Sequence, residues 1–469
     1  MFARYQAWRT AQFALQPGPI GRVYPHMTVY NIRDVMWSGE VMRWHMGIPG
    51  VDTILETPAK KVWPGEHEPT KEFARLFDEI PHLLELGWYG EVTERLDQIT
   101  ASDTLEPSQT MRLHYLQGWL LSDMQDYRQA FQFYRQACEI AEDHGDLDSQ
   151  ITLVDHCGLM LYGQMRHRDA TLYYQEALGL WRTRAAQLLK PRAEPEVKFY
   201  ERIGATQWNT GDFDEARVTL ARGLTIALYK PGIPRTDFIR DRAARALWTL
   251  GMTLRSQSDM RDGDISLLRL ARKRLKQASE LFALVGQEQE NVGRLHIQIA
   301  ELELDLAEIY LHRGADAAAR GHRDAARQHM RFAAELTTDA DRPAAKLLPE
   351  LTMLRYDITR NLNRSAVRNT LGFASRLQDI EQRAEAIDDA VISGKAATLR
   401  GEWCLWLGDS DQARAALLLA ITDFGSNNMG MATRAQRLLR HSNEPIRPPD
   451  GPNRQRRSGG PIPSDSGQA

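Results

Sequence analysis

The chain has 469 residues, two to three times the size of an ordinary domain. Charged residues are 26% and hydrophobic ones 42%, as in a soluble foldable chain, and a formal charge of −3 speaks against a bulk nucleic-acid or membrane binder. Three cysteines (Cys138, Cys157, Cys404) with no CxxC pair exclude a disulfide framework and fit a reducing, cytoplasmic compartment, and the longest apolar run, Ala415 to Ile421, is far short of the roughly 20 residues that span a bilayer.

Residues 1–70 form the first expected unit. Arg4 and Arg9 stand there without the apolar stretch of a secretory signal. Helices are expected over 2–15 and 31–44, separated by the breaker at 17–21, and 47–70 is Pro/Gly-punctuated. Trp8, Trp37, Trp44 and Trp63 suit an irregular cap packed on the first repeat, or the remnant of a preceding module.

From residue 71 a helix pair is expected to 101, and then one pattern recurs. A small residue is followed by alanine twelve positions later, a large residue four further on, and a small residue three beyond that. It reads Gly118, Ala130, Tyr134, Ala137; then Gly158, Ala170, Tyr174, Ala177; then Gly204, Ala216, Leu220, Gly223; and late in the chain Gly401, Ala413, Leu417, Ala420. The spacing predicts a helical hairpin, with the first small residue midway along helix A and the others on one face of helix B. Turn signals lie between: Met124-Gln125-Asp126, Gly211-Asp212, Gly408-Asp409. Degenerate copies fill the gaps: Gly251 with Ala271, Leu275 and Ala278 after an insertion, Ala307 with Ala326, Met330 and Ala333, and a pair over 344–385.

About eight antiparallel helix pairs therefore occupy 71–442, and no segment shows strand alternation, so the fold class is all-α, an α-solenoid whose stacked hairpins share one core. A final Arg-rich helix from Ala432 to Arg440 reads as a solubilising cap. Residues 443–469, with six prolines and four glycines, read as a disordered tail carrying a basic patch at Arg454, Arg456 and Arg457.

The quoted residues resemble the tetratricopeptide repeat family, most closely in GDFDEARVTLARG and GDSDQARAALLLA. The glycines stand 40, 46 and 47 residues apart from Gly118 to Gly251 rather than at that family's shorter period, which implies longer helices or loops. Long-period arrays of this kind resemble the sensor arms of STAND-type NTPase regulators. The resemblance implies a right-handed superhelix with helix A lining a concave groove. Carried over residue by residue, the groove would present Tyr115, Trp119, Asp155, Tyr162, Glu201, Trp208, Trp248, Arg255, Glu301, Glu308 and Glu402. Such an aromatic and acidic lining suits a partner protein or peptide with basic residues. No asparagine follows the mid-helix glycine, so a carboxylate clamp is not expected. The convex back would carry a basic patch of Arg269, Arg272, Lys273, Arg320, Arg323, Arg327 and Arg331, without the interleaved aromatics of a single-strand nucleic-acid binder.

Catalytic motifs are missing: no GxxxxGK[ST], HExxH, GxSxG or strand-borne GxGxxG occurs. His156 and Cys157 are adjacent, and neighbours on a helix point about 100° apart. Glu301, Asp305 and Glu308 share a helix face, where crowding could raise one carboxyl and supply an acid, or where arginines could pair with them. No cofactor or metal is expected. The sequence thus predicts a protein-interaction scaffold, with the regulator's sensor arm as the alternative and an enzyme as the remote one. Self-occupancy of an acidic groove by the tail arginines is a further possibility. Arginine outnumbers lysine 49 to 10, which points to a GC-rich bacterial genome.

Overall fold

The computed structural model describes residues 63–67, 71–101, 105–188, 193–231, 235–286, 289–337, 343–361, 370–387, 389–426 and 428–442. The expected N-terminal cap, apart from 63–67, and the expected tail at 443–469 lie outside these residues.

Every described element is a helix. In chain order they are α1 Lys71–Leu86, α2 Tyr89–Thr100, α3 Pro107–Asp123, α4 Tyr127–Asp143, α5 Leu147–Gly163, α6 His167–Ala186, α7 Glu194–Thr210 and α8 Phe213–Leu224, which runs on as a π-turn. Then come α9 Asp237–Met260, α10 Ile265–Val285, α11 Gln289–His312, α12 Asp316–Thr337, α13 Pro343–Asn361, α14 Thr370–Ile387, α15 Ala390–Leu407, α16 Ser410–Phe424 and α17 Met429–His441. These are eight hairpins and one closing helix, stacked as a helical-repeat solenoid.

The recurrent residues explain the stacking. Ala130, Tyr134 and Ala137 on α4 are fully buried, as are their equivalents on α6, α10, α12 and α16. In five hairpins the large residue of helix B fills the space left by the helix A glycine: Tyr134 at Gly118, Tyr174 at Gly158, Leu220 at Gly204, Leu275 at Gly251 and Leu417 at Gly401. A methyl group on Gly204 would lie 2.4 Å from Leu220 Cγ, and one on Gly401 2.5 Å from Leu417 Cγ. Such overpacking costs about 1–3 kcal/mol.

The turns repeat as well. Asp126 N donates to Leu121 O at 2.8 Å, Arg166 N to Leu161 O at 2.9 Å and Asp409 N to Cys404 O at 2.9 Å. This six-to-one bond closes the end of helix A around a left-handed residue: Gln125 at φ 65°, Met165 at 59° or Gly408 at 82°. The Asp126 and Asp409 carboxylates then accept from Gln129 N and Gln412 N and cap helix B.

The long period resides in the helices. Helix α3 runs five residues past Gly118, whereas α9 runs nine past Gly251. Ala130 is the fourth residue of α4, and Ala271 the seventh of α10. The insertion before Ala271 is therefore about one extra turn on each helix, so this hairpin extends beyond the preceding α7–α8 pair. Ser256 and Asp259 sit on the projecting turn of α9.

That projection meets the end of the chain. Helix α17 lays its apolar residues Ala432, Ala435 and Leu438 with Leu417, Ala420 and Phe424 of α16. Its other side returns to the middle of the array: Ser256 Oγ donates to Gly430 O at 3.0 Å, and Trp208 of α7 lies so close that a methyl on Gly430 would be 2.3 Å from the indole. The expected solubilising cap is instead a buried closure, with Arg434 and Arg437 only 8% and 6% exposed.

Candidate functional site

Helix A of successive hairpins carries charges that the next helix A answers. Lys198 and Arg202 of α7 pair with Asp155 of α5, the lysine at 2.7 Å. Arg242 of α9 donates to Glu201 of α7 at 3.2 Å. Arg255 of α9 reaches α11, donating to Asp305 and to Glu301 at 2.7 Å each. The series ends in a cluster where Asp305 also accepts from Arg355 of α13 and from Arg434 of α17. Lys395 of α15 donates to Glu301 at 2.7 Å, and Arg434 donates to Glu308 at 3.0 Å and Glu402 at 2.9 Å.

The electrostatics follow from this pairing. Burial alone would raise the carboxyls of Glu301, Asp305 and Glu308, but the cations outweigh it. Lys395 and Arg255 hold Glu301 at about 2, and Arg434, Arg437 and Arg355 hold Glu308 at about 2. Asp305, facing Arg255, Arg355 and Arg434, lies far below the usual carboxylate range. The three carboxylates on one face of α11 are thus arginine-paired and ionised. None is a protonated acid held ready for catalysis.

Beside the cluster, a small cleft, partly open to solvent, lies between α9, α11, α13, α15, α16 and α17. Its wall includes Arg255, Glu301, Thr352, Lys395, Thr398 and Met431, so both charge signs and apolar surface are present.

The sequence-predicted groove divides in two. Arg255, Glu301, Glu308 and Glu402 come together at this cluster. Trp208 is next to it, covered by Gly430, with its indole N–H donating to Ser256 Oγ at 3.1 Å. The other aromatics are core residues, a correction to their expected role. Tyr115 and Trp119 pack in the N-terminal core, Tyr162 packs in the next cluster, and Trp248 meets Phe282 edge-on. Asp155 and Glu201 are consumed by their ion pairs, so no open acidic groove exists there. The physical reason is coverage: on α9 every residue from Asp241 to Asp259 is buried, leaving helix A no free face. Arg355, Lys395, Arg434, Arg437 and Asp259 escaped the sequence reading. Only the three-residue spacing of Arg434, Arg437 and Arg440 signalled that one face of α17 needs carboxylate partners.

The basic back is partly anchored. Arg269, Lys273, Arg320, Arg327 and Arg331 are exposed, but Arg272 donates to Glu303, and Arg323 to Thr359 O at 3.3 Å. The His156–Cys157 neighbourhood offers no nucleophile. Burial pushes His156 down to about 4 and the Cys157 thiol well up, and His156 Nδ1 donates to Thr152 O at 2.7 Å. Among the described residues no group of three or more His, Cys, Asp or Glu is placed to hold a metal ion, and no helix is long and apolar enough to cross a membrane.

Comparison with known proteins agrees with this architecture. The tetratricopeptide repeat family matches residues 112–144, the α3–α4 hairpin built around Gly118 and Tyr134. The apo form of the quorum sensor NprR from B. thuringiensis superposes with a TM-score of 0.52 at 14% identity, over 75% of this chain and 87% of that one. The apo form of RapI gives a TM-score of 0.53 at 12% identity, over 76% and 88%. No curated protein sequence matches the chain.

Proposed function

We propose that this chain, a protein of tetratricopeptide-type repeats, is a non-enzymatic regulatory scaffold that holds a peptide or a segment of a partner protein against the inner side of its array. The observation that carries the reading is the cavity at the α9–α11–α15–α17 junction. It is the place where charged side chains of both signs and apolar surface border one space. The chain's likeness in fold to a protein described as a quorum sensor supports a sensing role. Three unpaired cysteines suit a reducing cytoplasm.

Filling the cavity tests the reading. Thr398 lines it, and its hydroxyl bonds only back to Gly394 O at 2.7 Å. A Thr398→Trp variant should keep the helical signal, lose about 1–3 kcal/mol of stability through overpacking, and no longer retain the peptide or protein that the wild-type chain captures from its host's lysate. Equal capture by a folded variant would remove the cavity from the account.

A further inference from the structure

The inner face is already occupied by a segment of the chain itself, and that occupant states what the face accepts. Helix α17 presents Arg434, Arg437 and Arg440 at three-residue intervals. Each meets acidic residues distant in the chain. Arg434 binds Asp305, Glu308 and Glu402; Arg437 lies 3.2 Å from Asp259; Arg440 lies 3.2 Å from Asp262 and donates to Asp259 O at 2.8 Å. Close approach is secured by Gly430 against Trp208, and Thr433 donates to Asp259 at 3.3 Å. Without α17, the carboxylates of Asp259, Asp262, Asp305, Glu308 and Glu402 would face Arg255 and Arg355 alone, an excess of negative charge on a shaped surface. The apolar contact of α17 comes from Ala432, Ala435 and Leu438, with Met431 and Leu439 partly buried beside them, and a free helix of 13 residues is marginal in water.

We infer that the inner face is a docking surface for an amphipathic helix of a partner protein carrying arginines at three-residue spacing, and that α17 is its intramolecular competitor. This rests on the partner-binding reading above and names the partner's chemistry, but the partner takes the place of α17 rather than entering the cleft that α17 helps to wall. The partner and α17 exclude one another, so affinity depends on how firmly α17 is seated.

The test uses the full-length chain and a labelled synthetic peptide of residues 428–442. A second peptide, with glutamate in place of its three arginines, is the control. The Arg437→Gln/Arg440→Gln chain, which keeps Arg434 in the core of the cluster, should bind the labelled peptide about tenfold tighter than wild type and ignore the control. Hydrogen exchange on the unaltered chain is the second readout, independent of any substitution. Saturating peptide should speed exchange in α17 while α9 and α11 stay protected. Binding that leaves α17 exchange unchanged overturns the competition and leaves the partner-binding reading standing elsewhere on the protein. No binding to either chain overturns the inference, since the face then takes α17 only as part of its own chain. Concentration-dependent dimers dissolved by the peptide would make a second copy the occupant and overturn the separate partner.

Discussion

Replacing Asp305 by asparagine should destabilise the protein by about 3–5 kcal/mol, the cost of breaking a buried ion cluster from one side. Its carboxylate is bonded by Arg255 from α9, Arg355 from α13 and Arg434 from α17, so one neutralised oxygen pair leaves three buried guanidiniums under-compensated. Asparagine keeps the volume, so packing does not confound the result. Stacked hairpins can unfold separately, and the loss should therefore be read both as the urea midpoint and as faster exchange in α11 and α17. A double variant with Arg434→Gln should cost less than the sum of the two single changes. A loss under about 0.5 kcal/mol, the range of ordinary surface substitutions, would mean that the cluster is solvated.

Acidification should have a comparable effect, in two stages. The first involves histidines buried as neutral rings. His156, packed between Tyr115 and Tyr134, and His167, against Tyr162, are both pushed by burial to about 4. In the unfolded chain they titrate near 6.5. Between those values the unfolded state binds protons that the folded state refuses, so stability falls as pH drops from about 6.5 toward 4, by about 3 kcal/mol per histidine. The second stage involves carboxylates. Glu301, Glu308 and Asp155 are held at about 2, below their unfolded values near 4, so their contribution is complete above about pH 4.5 and disappears on the way to pH 2. Thermal midpoints between pH 7.5 and 3 should thus decline from about pH 6.5 and more steeply below 4.5. A flat profile down to pH 4.5 would show that the histidines are not buried as described.

How much of this was legible in the sequence depends on which physics wrote it. The hairpins were, because a glycine facing a tyrosine or leucine leaves a fixed spacing: Gly118 with Tyr134 and Gly204 with Leu220 obey it without exception. The degenerate copy at Gly251 looked like an insertion, and it is a pair of helices each longer by one turn. The inner side was less legible. Its lining was inferred by placing residues at fixed offsets from the glycine on an open face, and Trp119 and Trp248 obey those offsets, yet no face is open on long helices packed on all sides. The closure was illegible for another reason. The partners of Arg434 and Arg440 lie as far as 129 and 181 residues away, and a single sequence shows a basic helix without showing which acidic residues it answers.

The C-terminal helix returns to the end of α9, Arg440 meeting Asp259 O and Asp262. Zero-length carbodiimide cross-linking of the full-length Arg440→Lys variant tests it most directly, because that reagent joins only an amine and a carboxylate already in contact. Asp262 stands 3.2 Å from Arg440, 178 positions away in the chain, and Lys395–Glu301 at 2.7 Å serves as an internal reference within the same cluster. The expected result is a monomeric product whose digest contains the segment of position 440 joined to that of Asp262. Formation of the Lys395–Glu301 link without the other, or a 440–262 link found only in dimers, would contradict it.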